Sequence, residues 1–245
     1  MNDVIGLLNA HRSIRAYKKI PVSQGTVEAI VQAGQASATS SFIQAYSIIQ
    51  VAQGEARSQL AALAANQTFI AEAPVFLVVC ADMQRHKMAC DMNGADMLSG
   101  YAEQFITSVV DSALLAQNMV IAAESMGLGI CYVGALRNNI AEVSDLLGLP
   151  DLVVPLFGLC IGYPSEKPDI KPRLPVKAVL RQERYDDPEA LATLQAYDEL
   201  TREYYQTRTG GQKSQSWTEQ MAAKLAKESR PHILAFMQSK GFLLK

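Results

Sequence analysis

The chain has 245 residues, of which 49% are hydrophobic and 19% charged, so it has enough apolar material for one sizeable core. Its formal net charge of −2 gives no overall attraction to nucleic acid or to an anionic membrane, and an anionic ligand must therefore be bound by local clusters of cations. The N-terminal segment has no basic stretch before its short apolar run, which argues against a signal peptide and leads us to expect a cytoplasmic protein.

The first half of the chain predicts alternating helices and strands. Ser23 is a suitable N-cap for an amphipathic helix over residues 23–36. The runs 47–51 and 74–80 are rich in β-branched and aliphatic residues and predict buried strands. A helix over residues 55–65 is predicted between them.

A long apolar helix is predicted over residues 96–126, ended by Gly127 or Gly129. It would span about 45 Å, and its second half is apolar on nearly every side, which predicts a helix that is buried all round. A monomer of this size rarely surrounds such a helix, so we expect a partner subunit to cover it. Four polar residues interrupt it too often for a membrane span: Asp111, Gln117, Asn118 and Glu124.

The next elements predicted are a strand over residues 129–133, a helix that begins at Asn138 or Asn139 and ends near Gly148, and a strand over residues 153–162. Residues 164–175 contain four prolines and predict an extended connector. Three further helices are predicted, over residues 188–207, 215–228 and 231–240. We interpret residues 1–245 as a single domain in which residues 163–245 form the proline-rich connector and a helical C-terminal excursion.

The cysteines and histidines do not have the spacing of metal ligands or of a redox pair. Three of the cysteines lie in apolar runs, where a reduced thiol behaves as a small hydrophobic group, so we predict that they belong to the core. We expect no metal site. The residues concerned are Cys80, Cys90, Cys131, Cys160, His11, His86 and His232.

The densest polar cluster is the run His11-Arg12-Ser13-Ile14-Arg15. In an extended chain, His11, Ser13 and Arg15 point to the same side, an arrangement that suits a phosphate because arginine supplies charge-assisted donors and serine a hydroxyl. A short basic run is equally typical of a solvated surface. A second basic cluster, Lys171 and Arg173 around Pro172, is either a rigid pair of cations or a surface linker.

Two further segments are candidates for ligand binding. Residues 37–41 carry four hydroxyl side chains that could bond ligand oxygens, although a polar turn has the same composition. Residues 127–135 contain three glycines but lack the third glycine of G-x-G-x-x-G and follow a helix, which excludes a Rossmann loop. Gly134 would instead let the backbone approach a flat ligand.

Taken together, several segments in the same order resemble the nitroreductase superfamily, in particular the oxygen-insensitive NADPH nitroreductases of the major type and the NADPH-dependent flavin reductases of luminous bacteria. The resemblance covers essentially the whole chain. The segments are HRSIR at 11–15, the Ser/Thr run before Phe42, AEQ at 102–104, AQN-x-x-IAAES-x-GLG from Ala116, YVG at 132–134, LRNN at 136–139, PLFGLCIG at 155–162, KPRLP at 171–175, YYQTR at 204–208 and KESRP at 227–231.

The resemblance implies an α+β fold with a central, mainly antiparallel sheet flanked by helices, an interlocked homodimer and one FMN at each subunit interface. It implies that the phosphate is bound by cations and Ser13, the ribityl chain and ring edges by hydroxyls and Gln67, and flavin N5 by the Gly134 amide. The implied FMN-binding residues are His11, Arg12, Ser13, Arg15, Thr39, Ser41, Gln67, Tyr132, Val133, Gly134, Lys171 and Arg173.

The resemblance also implies residues for the other reactants. Arg208 matches the arginine for the 2′-phosphate of NADPH, with Lys213 and Arg230 as helpers, although ordinary solvated charges have the same appearance. Phe42 and Glu103 match positions that line the substrate site, and Glu103 could equally be an exposed helical carboxylate. The chain departs from its relatives at Ala135, where they have a second glycine, and at residues 38 and 39 of the hydroxyl run.

The function implied is FMN-dependent, ping-pong, two-electron reduction by NADPH of nitroaromatics, quinones and related acceptors, chromate included, without a catalytic nucleophile in the protein. One alternative is an NADPH:FMN flavin reductase that supplies free reduced flavin. Another, of a different class, is a flavin-binding module without turnover. The sequence motifs are shared by the two enzymes and leave the physiological acceptor and the strictness of the NADPH preference open.

Overall fold

The computed structural model describes residues 2–245, which form two compact units. The first unit contains the chain up to Pro168 together with Arg230–Lys245, and the second is Asp169–Ser229. The chain therefore leaves the first unit within the proline-rich connector and returns to it for the C-terminal helix.

The elements predicted from the sequence occur in the predicted order, and the structure contains further short helices besides them. The strands are β1 (Tyr46–Gln50), β2 (Val75–Asp82), β3 (Gly129–Val133) and β4 (Val153–Gly162). The helices are α1 (Asp3–Asn9), α2 (Gln24–Gln35), α3 (Glu55–Leu63), α4 (Phe69–Glu72), α5 (Gln84–Met92), α6 (Ala102–Ser125), α7 (Ile140–Leu146), α8 (Ala190–Arg208), α9 (Trp217–Leu225) and α10 (Ile233–Ser239).

The four strands form one sheet in the order β1-β2-β4-β3, with every neighbouring pair antiparallel. The central strands β2 and β4 are buried along almost their whole length, which explains their unbroken apolar sequences. Alternate residues of β2 face opposite sides of the sheet. One side packs against α3, α4 and α7, and the other against α2 and α6. The α+β fold predicted from the sequence is confirmed.

Helix α6 begins six residues later than predicted. Gly100 has a φ of +87°, and the side chain of Gln104 accepts a hydrogen bond from the backbone N–H of Tyr101. Its C-terminal end is the predicted one, since Gly127 has a φ of +76° and the N–H of Leu128 donates to the carbonyl of Ala123 at 3.0 Å. The helix has 24 residues.

Within one chain helix α6 is buried on one side only, as expected if a single subunit does not surround it. One side packs so closely on α2 that a Cβ at Gly34 would lie 2.5 Å from Met119 Cγ. The other side exposes Ile106, Val110 and Leu114, which form one stripe along the helix. By length and composition alone α6 could cross a membrane, but the buried carboxylate of Asp111 and its packing on the sheet are those of a core helix.

The predicted core cysteines are confirmed. Cys80, Cys131 and Cys160 are buried in the sheet, whereas Cys90 lies partly exposed on α5. Burial, reinforced by Asp82, raises the pKa of the Cys80 thiol to about 12. Burial also raises the pKa of Cys131 and of Cys160. These thiols therefore stay neutral and contribute to packing only.

Helix α7 begins at one of the two predicted asparagines, but not through the predicted cap. Asn139 occupies the N-cap position, after a 3₁₀ turn that spans Gly134–Asn139. Its amide donates to the carbonyl of Leu63 at the end of α3, at 2.6 Å. Asn139 thus joins two segments of the first unit and does not cap α7.

The second unit is built on α8 and α9. The Tyr197 hydroxyl on α8 donates to the carbonyl of Pro172 at 2.9 Å, and its ring lies edge-on to Trp217 at 5.9 Å between centroids. Ser216 and Glu219 form a capping box at the start of α9. These contacts fix the basic segment 171–173 to the helices of the same unit.

Candidate active site

The segment His11–Arg15 lies beside the edge strand β3. The backbone N–H of Ile14 donates to the carbonyl of Ile130 at 2.8 Å, and Ser13 pairs with Ile130 as a parallel bridge. The Ile14 side chain is buried, and a Cβ at Gly129 would lie 2.6 Å from it, so glycine is what allows the two segments to approach. In an extended segment, alternation would place His11, Ser13 and Arg15 on the side opposite Ile14.

His11 is held by a carboxylate from the end of α6. Its Nδ1 lies 2.7 Å from Oε1 of Glu124, and both side chains are mostly buried. An ionised carboxylate only accepts, so Nδ1 is the donor and Nε2 is left for another partner. The charge of Glu124 also acts on Tyr132, whose pKa is raised to about 12, first by burial and then by this carboxylate. Glu124 thus faces two of the predicted flavin contacts.

Arg12 and Arg15 differ in how they are held. Arg12 donates to the carbonyls of Ala10 at 3.1 Å and of Pro168 at 3.2 Å. Arg15 has its backbone N–H on the carboxylate of Glu166, while its exposed guanidinium lies 6.0 Å from the centroid of the Phe69 ring. The backbone of this segment is therefore fixed, and the guanidinium of Arg15 is exposed to an incoming anion.

Gln67 and Tyr132–Gly134 complete this group. Gln67 follows two residues with left-handed backbones, Ala65 and Asn66, and precedes Phe69, the aromatic neighbour of Arg15. The Tyr132 ring is partly exposed and packs edge-on against another ring, whereas Val133 is buried. A Cβ at Gly134 would lie 3.3 Å from the guanidinium of Arg137. Because the side chain of Val133 is buried, this residue could contact a ligand only through its backbone.

The hydroxyl run forms a second group elsewhere on α6. Thr39, Ser41 and Phe42 lie in a loop whose backbone N–H groups at Ser40 and Ala45 both donate to the carboxylate of Asp111. Asp111 precedes Glu124 by 13 residues on α6, so one chain holds the two groups about 20 Å apart along the helix. Glu103 is exposed in the first turn of the same helix.

The predicted cations of the second unit are exposed. The Lys171 ammonium lies 5.4 Å from the centroid of the Tyr205 ring, and Arg173 donates to the carbonyl of Lys171 at 2.7 Å. Arg208 donates to the Tyr204 hydroxyl at 3.0 Å. The backbone N–H of Lys213 donates a hydrogen bond to the Thr209 hydroxyl, across a turn in which Gly210 and Gly211 have positive φ.

Arg230, which the resemblance implies as a helper of Arg208, belongs to the first unit. Its backbone is left-handed, and its Nε donates to Oδ1 of Asn138 at 2.8 Å. The structure therefore gives Arg230 a local role in joining the start of the C-terminal segment to the turn before α7.

Sequence reasoning missed three carboxylates that hold the predicted ligand-binding segments. They are Asp111 and Glu124 on α6 and Glu166 in the connector. The signal for the first two was present, because charged residues within an otherwise apolar helix need partners when they are buried. Glu166 gave no comparable signal, since several other charged residues lie in the same connector.

Family models and relatives agree with this arrangement. The model of the "Nitroreductase family" matches residues 8–163, and that of the "Nitroreductase family, C-terminal domain" matches residues 171–245. An NADPH-flavin oxidoreductase of Vibrio harveyi is 43% identical over 98% of each chain. A CR(VI) reductase of Pseudomonas sp. is 42% identical over 96% of this chain and 97% of the relative.

Two more relatives cover nearly the full length. The oxygen-insensitive NADPH nitroreductase of Salmonella typhimurium is 42% identical over 99% of each chain. The solved structure of NfrA1 from B. megaterium superposes with a TM-score of 0.96 at 44% identity, covering 99% of this chain and all of the other. The chain therefore belongs to the nitroreductase family.

Proposed function

We propose that the protein is an FMN-dependent NADPH oxidoreductase that reduces nitroaromatics, quinones and related acceptors, chromate among them, by electron pairs. The observation that carries the proposal is the His11–Arg15 segment fixed along β3 at the buried Ile14, with the side chain of Arg15 exposed. The names of the relatives support the reaction, since they include an NADPH-flavin oxidoreductase, a CR(VI) reductase and an NADPH nitroreductase.

The residues of the first unit fit a phosphate. Arg15 has an exposed guanidinium on a backbone that is already ordered, and Ser13, two residues before it, has a hydroxyl to offer. His11 offers its Nε2, since Nδ1 is engaged by Glu124. Arg12, which already donates to two carbonyls, has fewer donors to offer. We assign Lys171 and Arg173 of the second unit to FMN on the family resemblance.

The ribityl chain and the flavin ring have candidates in both groups. Thr39, Ser41 and Gln67 supply hydroxyl and amide groups for the polar edges. Tyr132 and the backbones of Val133 and Gly134 would face the ring, with the Gly134 amide donating to N5. A backbone without a Cβ at residue 134 allows a flat group to approach closely.

When FMN is bound, the chemistry that it supplies is two-electron transfer, with a hydride accepted from NADPH at N5 and an electron pair passed to the acceptor. The protein contributes binding, orientation and charge. A cation near the N1 and O2 edge would stabilise the reduced flavin, and Lys171 and Arg12 are the two candidates. Phe42 and Glu103 would line the acceptor site. The acceptor would occupy the face that NADP⁺ has left, and the kinetics would therefore be ping-pong.

We assign NADPH to the region around Arg208 and Lys213. Both are exposed cations at the C-terminal end of α8, beside a turn with two glycines. An exposed guanidinium suits the 2′-phosphate that distinguishes NADPH from NADH.

We also propose a cytoplasmic homodimer. Ile106, Val110 and Leu114 form an apolar stripe on α6 that the single chain leaves exposed. The group around His11 and the loop with Phe42 are about 20 Å apart along α6 in one chain, and a second copy could bring them to the same flavin.

Purified protein tests the proposal directly. We expect it to be yellow, and we expect NADPH added without oxygen to remove the oxidised flavin absorbance. If the absorbance of oxidised flavin persists, the protein does not oxidise NADPH, and the flavin-binding module without turnover is favoured. The flavin reductase alternative is favoured by the Vibrio harveyi relative, and steady-state comparison of a nitro compound, a quinone, chromate and free FMN would separate it from the main proposal.

A further inference from the structure

The loop between α2 and β1 has an unusual backbone. Ser41, Phe42 and Gln44 have φ values of 47°, 60° and 57°, in the left-handed region that side chains with a Cβ rarely adopt. Strained residues of this kind persist only where the surrounding structure determines them. At the tip of the loop the Phe42 side chain is 82% exposed, although it is large and apolar.

One buried carboxylate, on α6, binds the backbone of the loop. Asp111 is fully buried in the middle of α6. Its Oδ1 accepts from the N–H of Ser40 at 2.9 Å, and its Oδ2 accepts from the N–H of Ala45 at 3.2 Å. The two bonds lie on either side of Phe42, so the carboxylate closes both ends of the segment that carries the ring.

The surroundings of this carboxylate make the arrangement hard to replace. A buried polar group needs hydrogen-bond partners, and here two backbone donors supply them to the carboxylate. The neighbouring Tyr46 hydroxyl is buried without a partner among the described residues, and its pKa is raised by burial and then by the charge of Asp111. Arg85 bonds the backbone carbonyl of Tyr46, which fixes the start of β1 independently.

We infer that Asp111 is a positioning residue that sets the position of Phe42 and thereby the acceptors that the enzyme reduces. The inference rests on the proposed function, which assigns Phe42 to the acceptor site. Asp111 lies beneath the loop and does not reach the acceptor itself. Its effect is therefore expected on the acceptor half-reaction and not on the reduction of the flavin by NADPH.

Two variants remove one bond each. Asp111→Asn keeps the shape of the side chain but replaces one acceptor oxygen by a donor, and Ser40→Pro removes the N–H from the loop side while leaving the carboxylate in place. In either variant we expect the backbone amides of residues 41–45 to exchange with deuterium at least about fivefold faster, because one hydrogen bond to the Asp111 carboxylate is lost. Val27→Ala, a core change near the start of α2, is the control for lower stability alone.

Kinetic measurements separate an effect on the position of Phe42 from a general loss of activity. We expect Asp111→Asn to raise KM for an aromatic nitro compound about fivefold or more, while the rate of flavin reduction by NADPH in stopped flow changes less than about twofold. Phe42→Ala should produce a similar change in KM, and the double variant should add little to it, because both changes act through the same ring.

Three results would overturn the inference: unchanged exchange at residues 41–45 in both variants, KM effects of Asp111→Asn and Phe42→Ala that multiply in the double variant, or the same KM effect in Val27→Ala. The exchange experiment does not depend on turnover. Failure of the wild-type protein to oxidise NADPH would therefore count against the proposed function, and unchanged exchange would count against the role of Asp111.

Discussion

Glu124 has a position that helix electrostatics alone disfavour. It lies in the last turn of α6, where the carbonyl end of the helix carries partial negative charge. The ring of His11 offsets this cost at 2.7 Å. Because the bond engages Nδ1, it orients the ring and leaves Nε2 as the only nitrogen for a ligand. The carboxylate thus connects helix α6 to the segment that we assign to the flavin phosphate.

Replacement of Glu124 by glutamine should weaken FMN binding about fivefold, because a charge-assisted hydrogen bond becomes a neutral one of roughly half its strength. Thermal stability should not fall in parallel, since the change removes a charge from an unfavourable helix end. Titration of apoprotein with FMN gives the affinity, and Glu142→Gln, an exposed helical carboxylate on α7, is the matched control. Equal affinity in the two variants would contradict the role of Glu124.

Arg15 and Arg173 are the arginines that we expect to bind the FMN phosphate. Arg15 belongs to a segment whose backbone is fixed by Ile130 and Glu166, and Arg173 to a segment fixed by Tyr197. Each alanine variant should bind FMN about ten- to a hundredfold more weakly, the expected effect of losing one charge-assisted contact. Apoprotein titrations that gave wild-type affinity for both variants would contradict the assignment.

Among the helices and strands, those with a clear apolar pattern or a glycine at the end could be predicted from the sequence. The bounds of β3 and β4 coincide with the predicted ones, since both are apolar runs ended by glycine or by a turn. Helix α5 was missed because its residues are mostly polar and none is buried, so it has no apolar stripe to detect. The start of α6 was placed too early because residues 96–101 resemble a helix in composition, and Gly100 adopts a positive φ.

The candidate site was predictable only in part, for a related reason. The His11–Arg15 segment and the hydroxyl run were visible as local clusters. Their supports come from distant parts of the chain: Glu124 lies 113 residues from His11, and Asp111 lies 71 residues from Ser40. Local patterns do not encode such pairs. The hydrogen bond between Arg230 and Asn138 likewise joins residues 92 positions apart.

The C-terminal end of α8 carries the prediction on cofactor preference. Arg208 is exposed, and its guanidinium donates to the Tyr204 hydroxyl and lies 5.9 Å from the centroid of the Tyr204 ring. We expect Arg208→Ala to lower kcat/KM for NADPH about ten- to a hundredfold, because the 2′-phosphate loses one charge-assisted contact. NADH turnover and bound FMN should barely change.

Steady-state rates with both nucleotides check this prediction, and Lys224→Ala, a cation on the exposed side of α9, is the control. Equal losses with NADPH and NADH would show that Arg208 has a structural role. If kcat/KM falls with neither nucleotide, Arg208 is an ordinary solvated surface residue.

For the whole molecule, the exposed stripe of α6 is the feature that a single chain does not explain. Ile106, Val110 and Leu114 are 54%, 47% and 42% exposed, and they follow one another at the spacing of a helix face. Helix α1 exposes Val4, Ile5 and Leu8 in addition. Large apolar surfaces of this kind are typical of an interface between subunits.

We therefore expect an obligate dimer with an interface of more than roughly 2,000 Å², which is the size of a permanent association. Val110→Glu places a charge in the centre of the stripe, and it should shift the protein to monomer in light scattering at micromolar concentration. Bound FMN should be lost in the same variant, because the group around His11 and the loop with Phe42 would no longer meet across the two copies. Ala29→Glu, at an exposed position of α2, should leave both unchanged. A wild-type monomer that keeps its FMN, or a Val110→Glu dimer that keeps it, would contradict the assembly that we propose.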